Sequence, residues 1–111
     1  MVHCVRDTEG WLLNKTILTA LSEKEYTTIE KGTFGSTRLA EEIRKEGGQE
    51  ELEIECFGLC TDICVVSNVL LLKANFPEAK IMVRADCCAG VTPETHEAAL
   101  QTMKMCQIEM C

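Results

Sequence analysis

The sequence contains few of the features that mark linkers, membrane proteins or nucleic-acid-binding surfaces. It has only two prolines and no low-complexity segment, which argues against a linker or a tail. It has 11 Lys and Arg but 18 Asp and Glu, and the resulting net charge of −7 disfavours nucleic acid and anionic membranes as partners. No apolar stretch reaches the roughly 18 residues of a membrane-spanning helix. The segment from Met1 to Asp7 lacks the apolar core of a signal peptide, so we expect a cytoplasmic protein.

The eight cysteines do not follow the spacing of a zinc site. No two of them are separated by two residues, and the adjacent pair Cys87-Cys88 is not a zinc-knuckle spacing. Cys56, Cys60 and Cys64 recur every four residues, which on one helix would form a stripe of ligands. Gly58 and the strand pattern before it interrupt such a helix. We therefore interpret most of the cysteines as small buried hydrophobic residues in a reducing compartment.

The hydrophobic pattern predicts a single α/β domain over residues 1–111, because a chain of this length has room for one small domain. Strands are predicted at 26–31, 52–57, 80–85 and 107–110. Helices are predicted from Ser36 or Thr37 to Gly47-Gly48, from Cys64 to a point before Pro77, and from Thr92-Pro93 onward. The segment 16–21 is ambiguous. This β-α-β-α-β-α-β order predicts a mostly parallel sheet with helices on its faces.

The most informative segment is Gly58-Leu59-Cys60-Thr61-Asp62-Ile63-Cys64-Val65. It joins a predicted strand to an apolar run that is long enough for a buried helix. Unpaired backbone N–H groups and the positive end of the helix dipole favour a thiolate at such a junction. Cys64 is therefore a candidate nucleophile at the carboxyl edge of a parallel sheet. A small buried residue at a tight turn is the alternative interpretation of Cys64.

Four other residues have both a functional and a structural interpretation. Lys31 ends a predicted strand. It is either a residue on the rim of an active site or a solvated lysine at a strand end. His3 is a candidate metal ligand or a surface histidine. Trp11 and Phe34 flank glycine-bearing loops, and either could wall an apolar pocket for a flat ligand or pack in the core.

Three further residues are expected to have structural roles. Asp62 precedes a helix, where its carboxylate is expected to accept backbone N–H bonds. His96 lies near the start of the last predicted helix and is expected to pack or cap there. Asp86 follows a predicted strand, and we expect it to order the loop Cys87-Cys88-Ala89-Gly90.

Taken together, these residues resemble the isochorismatase-like cysteine hydrolases and, within them, the nicotinamidases. The resemblance extends from His3 to Met110. The segment 58–65 is similar to the nucleophile segment of the family, with Cys64 in the nucleophile's place. The segment Glu30-Lys31-Gly32-Thr33-Phe34 is similar to that of the catalytic lysine. The segment 3–10 resembles a nicotinamidase segment whose histidine, here His3, is a metal ligand.

The resemblance implies an activity and a set of roles. The fold would be three-layered, α/β/α, and the reaction would convert nicotinamide to nicotinate and ammonia, a step of NAD salvage, through a thioester on Cys64. Lys31 would be catalytic, and the peptide between Leu59 and Cys60 would be cis. The backbone N–H groups of Cys60 and Cys64 would form an oxyanion hole, and His3 would help bind Zn, Fe or Mn. Isochorismatase or another amide hydrolase of the same superfamily is the alternative that keeps this fold.

One part of the family pattern has no counterpart here. In the family, the catalytic aspartate and an Asp-x-His metal segment lie upstream of the histidine that matches His3. The first two strands of the family's sheet lie between the lysine strand and the cysteine strand. We therefore expect a partial domain, the C-terminal part of a family member, through truncation or a misplaced start. A non-catalytic protein that associates with a partner chain or another copy through exposed strand edges is a further alternative.

Overall fold

The computed structural model describes residues 2–47 and 51–111 and contains a three-stranded parallel sheet. The strands are β1 (Glu53–Leu59), β2 (Lys80–Ala89) and β3 (Glu109–Met110), in that order across the sheet. The helices are α1 (Lys15–Leu21), α2 (Thr37–Arg44), α3 (Val66–Asn75) and α4 (Pro93–Met105). A 3-10 turn (Glu9–Trp11) and a π turn (Thr61–Val65) complete the described elements. The predicted α/β fold with parallel strands and flanking helices is confirmed.

The core joins α3 and α4 to the sheet. Val83 of β2 and Met103 of α4 have no exposed surface, and Phe76 after α3 is almost as deeply buried. Exposure alternates along β1, so that Ile54 and Cys56 pack against this core while the intervening side chains face away. The two crossovers, β1-α3-β2 and β2-α4-β3, therefore bury one continuous apolar cluster. None of the helices in the described part of the chain is long and apolar enough to cross a bilayer.

The predicted helix starts are found where the sequence places them. Pro93 occupies the first turn of α4, and the side chains of Thr92 and Thr95 form a reciprocal capping box. The second helix begins at Thr37, after Ser36, as predicted. It ends at Arg44, before Gly47, and Gly48 lies outside the described residues. The ambiguous segment 16–21 is helical, because Asn14 caps α1 by accepting the Thr16 N–H at 2.8 Å.

The strand predicted at 26–31 is wrong. These residues adopt no regular structure, and Tyr26 is 52% exposed. Their β-branched composition favours an extended backbone, but a strand also needs a neighbour that supplies a ladder of hydrogen bonds. The strand order β1-β2-β3 gives this segment no partner, so the described sheet has three strands where the sequence predicted four.

The loop predicted at 87–90 is also wrong. β2 continues to Ala89, and Asp86 and Cys87 are exposed residues within it. The pairing with β1 shifts from Cys56↔Val83 to Gly58↔Cys88, so a bulge in β2 accommodates the extra residues. Asp86 therefore does not order a loop. Polar residues at a bulge resemble those of a turn, which explains the incorrect prediction.

Gly90 should tolerate no side chain, because α4 lies directly against it. A Cβ on Gly90 would be 2.8 Å from the Cβ and 2.9 Å from the Cα of His96. We expect Gly90→Ala to lower the free energy of unfolding by about 1–3 kcal/mol, the usual cost of overpacking. Thermal unfolding followed by circular dichroism measures this change. Gly10→Ala is the control, because a Cβ there meets nothing within 4 Å. Equal melting temperatures for the two variants would contradict the close approach.

Candidate active site

Cys64 lies in the π turn between β1 and α3, at the carboxyl end of β1. The turn closes on Cys60, whose carbonyl oxygen accepts the N–H groups of Ile63 and Val65, each at 3.0 Å. The peptide bond between Leu59 and Cys60 is cis, where the resemblance has one. Cys64 itself is half-buried and is a free thiol. The turn thus presents a thiol at the edge of the sheet where ligands of parallel α/β folds bind.

Lys31 and Cys64 are in direct contact. The Nζ atom of Lys31 lies 3.4 Å from the Sγ atom of Cys64 and 3.3 Å from the carbonyl oxygen of Thr33. The ammonium group of Lys31 thus donates a hydrogen bond to the sulfur atom of Cys64. Both side chains line a cavity of about 400 Å³ beside β1, together with apolar residues of α2, α3 and β1. Two sequence-predicted residues, 33 positions apart, therefore meet at one cavity.

Asn68 connects the segments that carry these two residues, and the sequence analysis did not identify it. It lies on α3, one helical turn after Cys64. Its Nδ2 atom donates to the carbonyl oxygens of Cys64 (2.8 Å) and Phe34 (3.0 Å), and its Oδ1 atom accepts the Ser36 N–H at 2.8 Å. A polar amide within the apolar run 65–74, four residues after a candidate nucleophile, is the sequence signal that could have found it.

The start of α4 is attached to the π turn by two contacts. The side chain of Thr61 is fully buried, and a hydrogen bond of 2.7 Å joins its Oγ1 atom to Nδ1 of His96. The Asp62 carboxylate accepts the Val91 N–H at 3.1 and 3.3 Å. His96 therefore has the packing role that its position suggested. Asp62 does accept a backbone N–H, but this group belongs to the loop before α4 rather than to the helix that follows Asp62.

Cys56 lines the same cavity as Cys64. Desolvation, with smaller contributions from Cys88 and Glu55, raises the pKa of the Cys56 thiol to about 11. At neutral pH Cys56 is therefore a protonated and weakly nucleophilic thiol. Desolvation and Asp86 also raise the pKa of Cys87.

Neither Trp11 nor Phe34 lines the cavity beside Cys64. Trp11 lines a second cavity, of about 530 Å³, which shares Lys31 with the first. The ring of Trp11 also lies under the guanidinium of Arg6, 5.6 Å from its centre. Phe34 is 55% exposed and lines neither of these two cavities. Trp11, unlike Phe34, therefore lies beside a cavity that reaches the lysine.

The described residues do not form a metal centre. His3 is exposed, and within residues 2–47 and 51–111 no group of three His, Cys, Asp or Glu side chains is arranged to hold an ion. A protein zinc site needs at least three such ligands. His3 alone does not fit a metal site, and no step below passes through a metal.

Comparison with known proteins agrees with this geometry. The family model of the isochorismatase domain matches residues 1–111. The chain belongs to the isochorismatase family. A search of curated protein sequences found no match.

Solved structures share the fold at low sequence identity. Nicotinamidase PncA from Bacillus subtilis is 24% identical with a TM-score of 0.83, and the match covers 100% of this chain and 63% of that one. Nicotinamidase SaPncA from Staphylococcus aureus is 25% identical with a TM-score of 0.80, covering 98% and 70%. A zinc complex of pyrazinamidase from Pyrococcus horikoshii is 23% identical with a TM-score of 0.73, covering 99% and 61%. The chain thus spans less than two thirds of the Bacillus and Pyrococcus chains.

Asp62 should make stability depend on acid pH. The nearby side chain of Thr95 and the hydrogen bond from the Val91 N–H hold the pKa of this carboxyl below its ordinary value of 3.8. The stabilisation is therefore complete above that value and is lost as the pH falls through the lower pKa of the folded state. We expect Asp62→Asn to reduce the melting temperature at neutral pH and to flatten its decline below about pH 4.

Melting curves recorded from neutral pH to about pH 2 test this expectation. Glu97 is an exposed residue of α4, so Glu97→Gln is the control. Parallel pH profiles for the wild type and Asp62→Asn would show that the contact with Val91 contributes nothing.

Proposed function

We propose that this chain carries the nucleophile and the lysine of a cysteine-dependent amide hydrolase that acts on nicotinamide or a similar small carboxamide. The contact of 3.4 Å between Lys31 and Cys64, beside a cavity of about 400 Å³, carries this proposal. The structural likeness to nicotinamidases supports the choice of substrate. One such neighbour, PnC1 from L. infantum, is described in complex with nicotinate.

The proposed reaction is acyl transfer through a thioester. The thiolate of Cys64 attacks the carboxamide carbon, and the backbone N–H groups of Cys60 and Cys64 receive the developing negative charge. The C–N bond then breaks, and the nitrogen leaves as ammonia after it gains a proton. Water attacks the thioester, which releases the acid and restores the thiol. Lys31 stabilises the thiolate before the attack.

The proton for the leaving ammonia needs a separate donor. Among the described residues that line the first cavity, Glu55 is the one carboxylate, and its side chain is paired with Arg84. Asp7 and Asp86 are exposed, and neither lines this cavity. The resemblance assigns the proton transfer to an aspartate upstream of His3. We therefore expect this chain to form the thioester readily only when the leaving group needs no proton.

The substrate's ring is proposed to lie toward Trp11. Trp11 and Tyr26 line the second cavity, which shares Lys31 with the first, so a flat ring could stack there while its carboxamide reaches Cys64. Phe34 is a second candidate for the same role.

The eight free thiols are consistent with a reducing cytoplasm, where nicotinate would enter NAD salvage. Zinc, iron or manganese is the metal that the resemblance implies.

Cys64 should be the most reactive of the eight thiols. Limiting iodoacetamide at neutral pH, followed by mass mapping, should modify Cys64 first and Cys56 last. Removal of the neighbouring cation in Lys31→Met should slow the modification of Cys64 by about tenfold. Lys24 is exposed and does not line the cavity beside Cys64, so Lys24→Met is the control. Preferential labelling of Cys4 or Cys106 would contradict the assignment of Cys64 as the nucleophile.

A nitrophenyl ester of nicotinic acid tests the acyl transfer itself. Its leaving group departs without a proton, so the ester should acylate Cys64 and release one nitrophenolate per chain. Cys64→Ala should abolish this release, whereas Cys106→Ala should leave it unchanged. Acylation that persists in Cys64→Ala would contradict the mechanism. A different preferred acyl group would favour another amide hydrolase of the same superfamily over one that acts on nicotinamide.

A non-catalytic, partner-binding role is the second candidate, and the edge of the sheet favours it. β1 is an edge strand in the described sheet, and Phe57 and Leu59 on it are 62% and 68% exposed. An apolar edge of this kind can pair with a strand of another chain or another copy.

On this alternative, the wild type should self-associate, and Phe57→Lys should shift it toward the monomer in sedimentation velocity. Val91→Lys, at a residue that is 64% exposed but lies outside β1, is the control. A wild type that stays monomeric at all concentrations would contradict self-association through this edge.

A further inference from the structure

Asn68 is the side chain through which the lysine segment (residues 26–36) and the nucleophile turn (the π turn Thr61–Val65) are hydrogen-bonded to each other. Both N–H groups of its amide are used, one on the Phe34 carbonyl and one on the Cys64 carbonyl. Its oxygen accepts the Ser36 N–H. Three hydrogen bonds of 2.8–3.0 Å therefore converge on one half-buried amide.

The lysine segment needs such a connection because it belongs to no strand. Residues 26–36 have no regular structure, so no ladder of backbone hydrogen bonds fixes them. The segment instead lies directly on α3, where a Cβ on Gly35 would be 2.8 Å from Cδ1 of Leu71. Asn68 provides hydrogen-bond partners for the Phe34 carbonyl and the Ser36 N–H of this segment. In a sheet, a neighbouring strand would provide such partners.

We propose that Asn68 is a positioning residue that holds Lys31 beside Cys64. Asn68 lies four residues after Cys64 on α3, the helix that directly follows the nucleophile turn, so its amide links the lysine segment to that helix and to the turn. This inference rests on the proposed function, because it concerns the same thiol and the same lysine. It assigns Asn68 no contact with the substrate.

The substitution Asn68→Leu separates positioning from stability. Leucine has a similar size and a higher helix propensity, and it suits the apolar run around it, so we expect the fold to be retained. The three hydrogen bonds are lost. If they hold Lys31 in place, the alkylation of Cys64 by iodoacetamide should slow by about threefold to tenfold, whereas that of the exposed Cys106 should not change.

Asn75→Leu is the matched control. Asn75 lies on the same helix, and its amide donates to the Leu71 carbonyl at 2.8 Å and accepts from Arg44 at 2.7 Å. It touches neither the lysine segment nor the nucleophile turn through these bonds. We expect Asn75→Leu to leave the alkylation rate of Cys64 unchanged.

The decisive measurement combines Asn68→Leu with Lys31→Met. If Asn68 acts through Lys31, Asn68→Leu should slow Cys64 alkylation in the wild type and have no further effect in Lys31→Met. Equal slowing in both backgrounds would overturn the proposal, because Asn68 would then act on the turn alone. If Asn68→Leu fails to fold, Asn68→Ala, which loses the same three hydrogen bonds without adding a charge, is tested in its place with the same two expectations.

The same rates distinguish a failure of this inference from a failure of the proposed function. If Lys31→Met slows alkylation and Asn68→Leu does not, the positioning role is wrong and the lysine–thiolate pair stands. If Lys31→Met has no effect on Cys64, the pair itself is wrong, and the role of Asn68 is overturned with it.

Discussion

The buried hydrogen bond between Thr61 and His96 is the constraint on which the geometry around Cys64 depends. A hydroxyl without a partner in the protein interior would be costly, so Thr61 requires a polar group beside the π turn. His96 supplies it from the first turns of α4, and Gly90 lets the helix approach that closely. The end of β2, the start of α4 and the nucleophile turn therefore form one packed unit. The position of Cys64 is set by the core rather than by a surface loop.

Lys31 is held in a different way. Its segment has no place in the sheet, and its contacts with α3 are side-chain hydrogen bonds and the close packing of Gly35. Few buried apolar contacts and many exposed backbone groups are the features of segments that open easily. The thiol is thus fixed by the global fold, while the lysine depends on a few local bonds. Substitutions near Lys31 can change the chemistry without a large change in the free energy of unfolding.

The sequence predicted those parts of the fold that depend on local patterns. Alternation of apolar residues identified β1, and Thr92-Pro93 identified the start of α4, because strand faces and helix caps are encoded by neighbouring residues. The segment 26–31 has the composition of a strand but no partner, and pairing is a property of the whole sheet. The contacts of Asn68 with Phe34 and of Thr61 with His96 join residues more than 30 positions apart. No local pattern specifies such pairs, so the roles of Asn68 and Thr61 could not be predicted, although the position of His96 did indicate that it packs.

The described lining of the cavity beside Cys64 contains one cationic and one anionic side chain. Lys31 is the one cation among the described residues that line the cavity beside Cys64, and a thiolate at 3.4 Å would neutralise it. Glu55 adds an anionic group to the same lining, and its carboxylate forms an ion pair with Arg84. The substrate proposed for this site, a small carboxamide, is itself uncharged, so its binding requires hydrogen-bond donors for the carbonyl oxygen rather than a balancing charge.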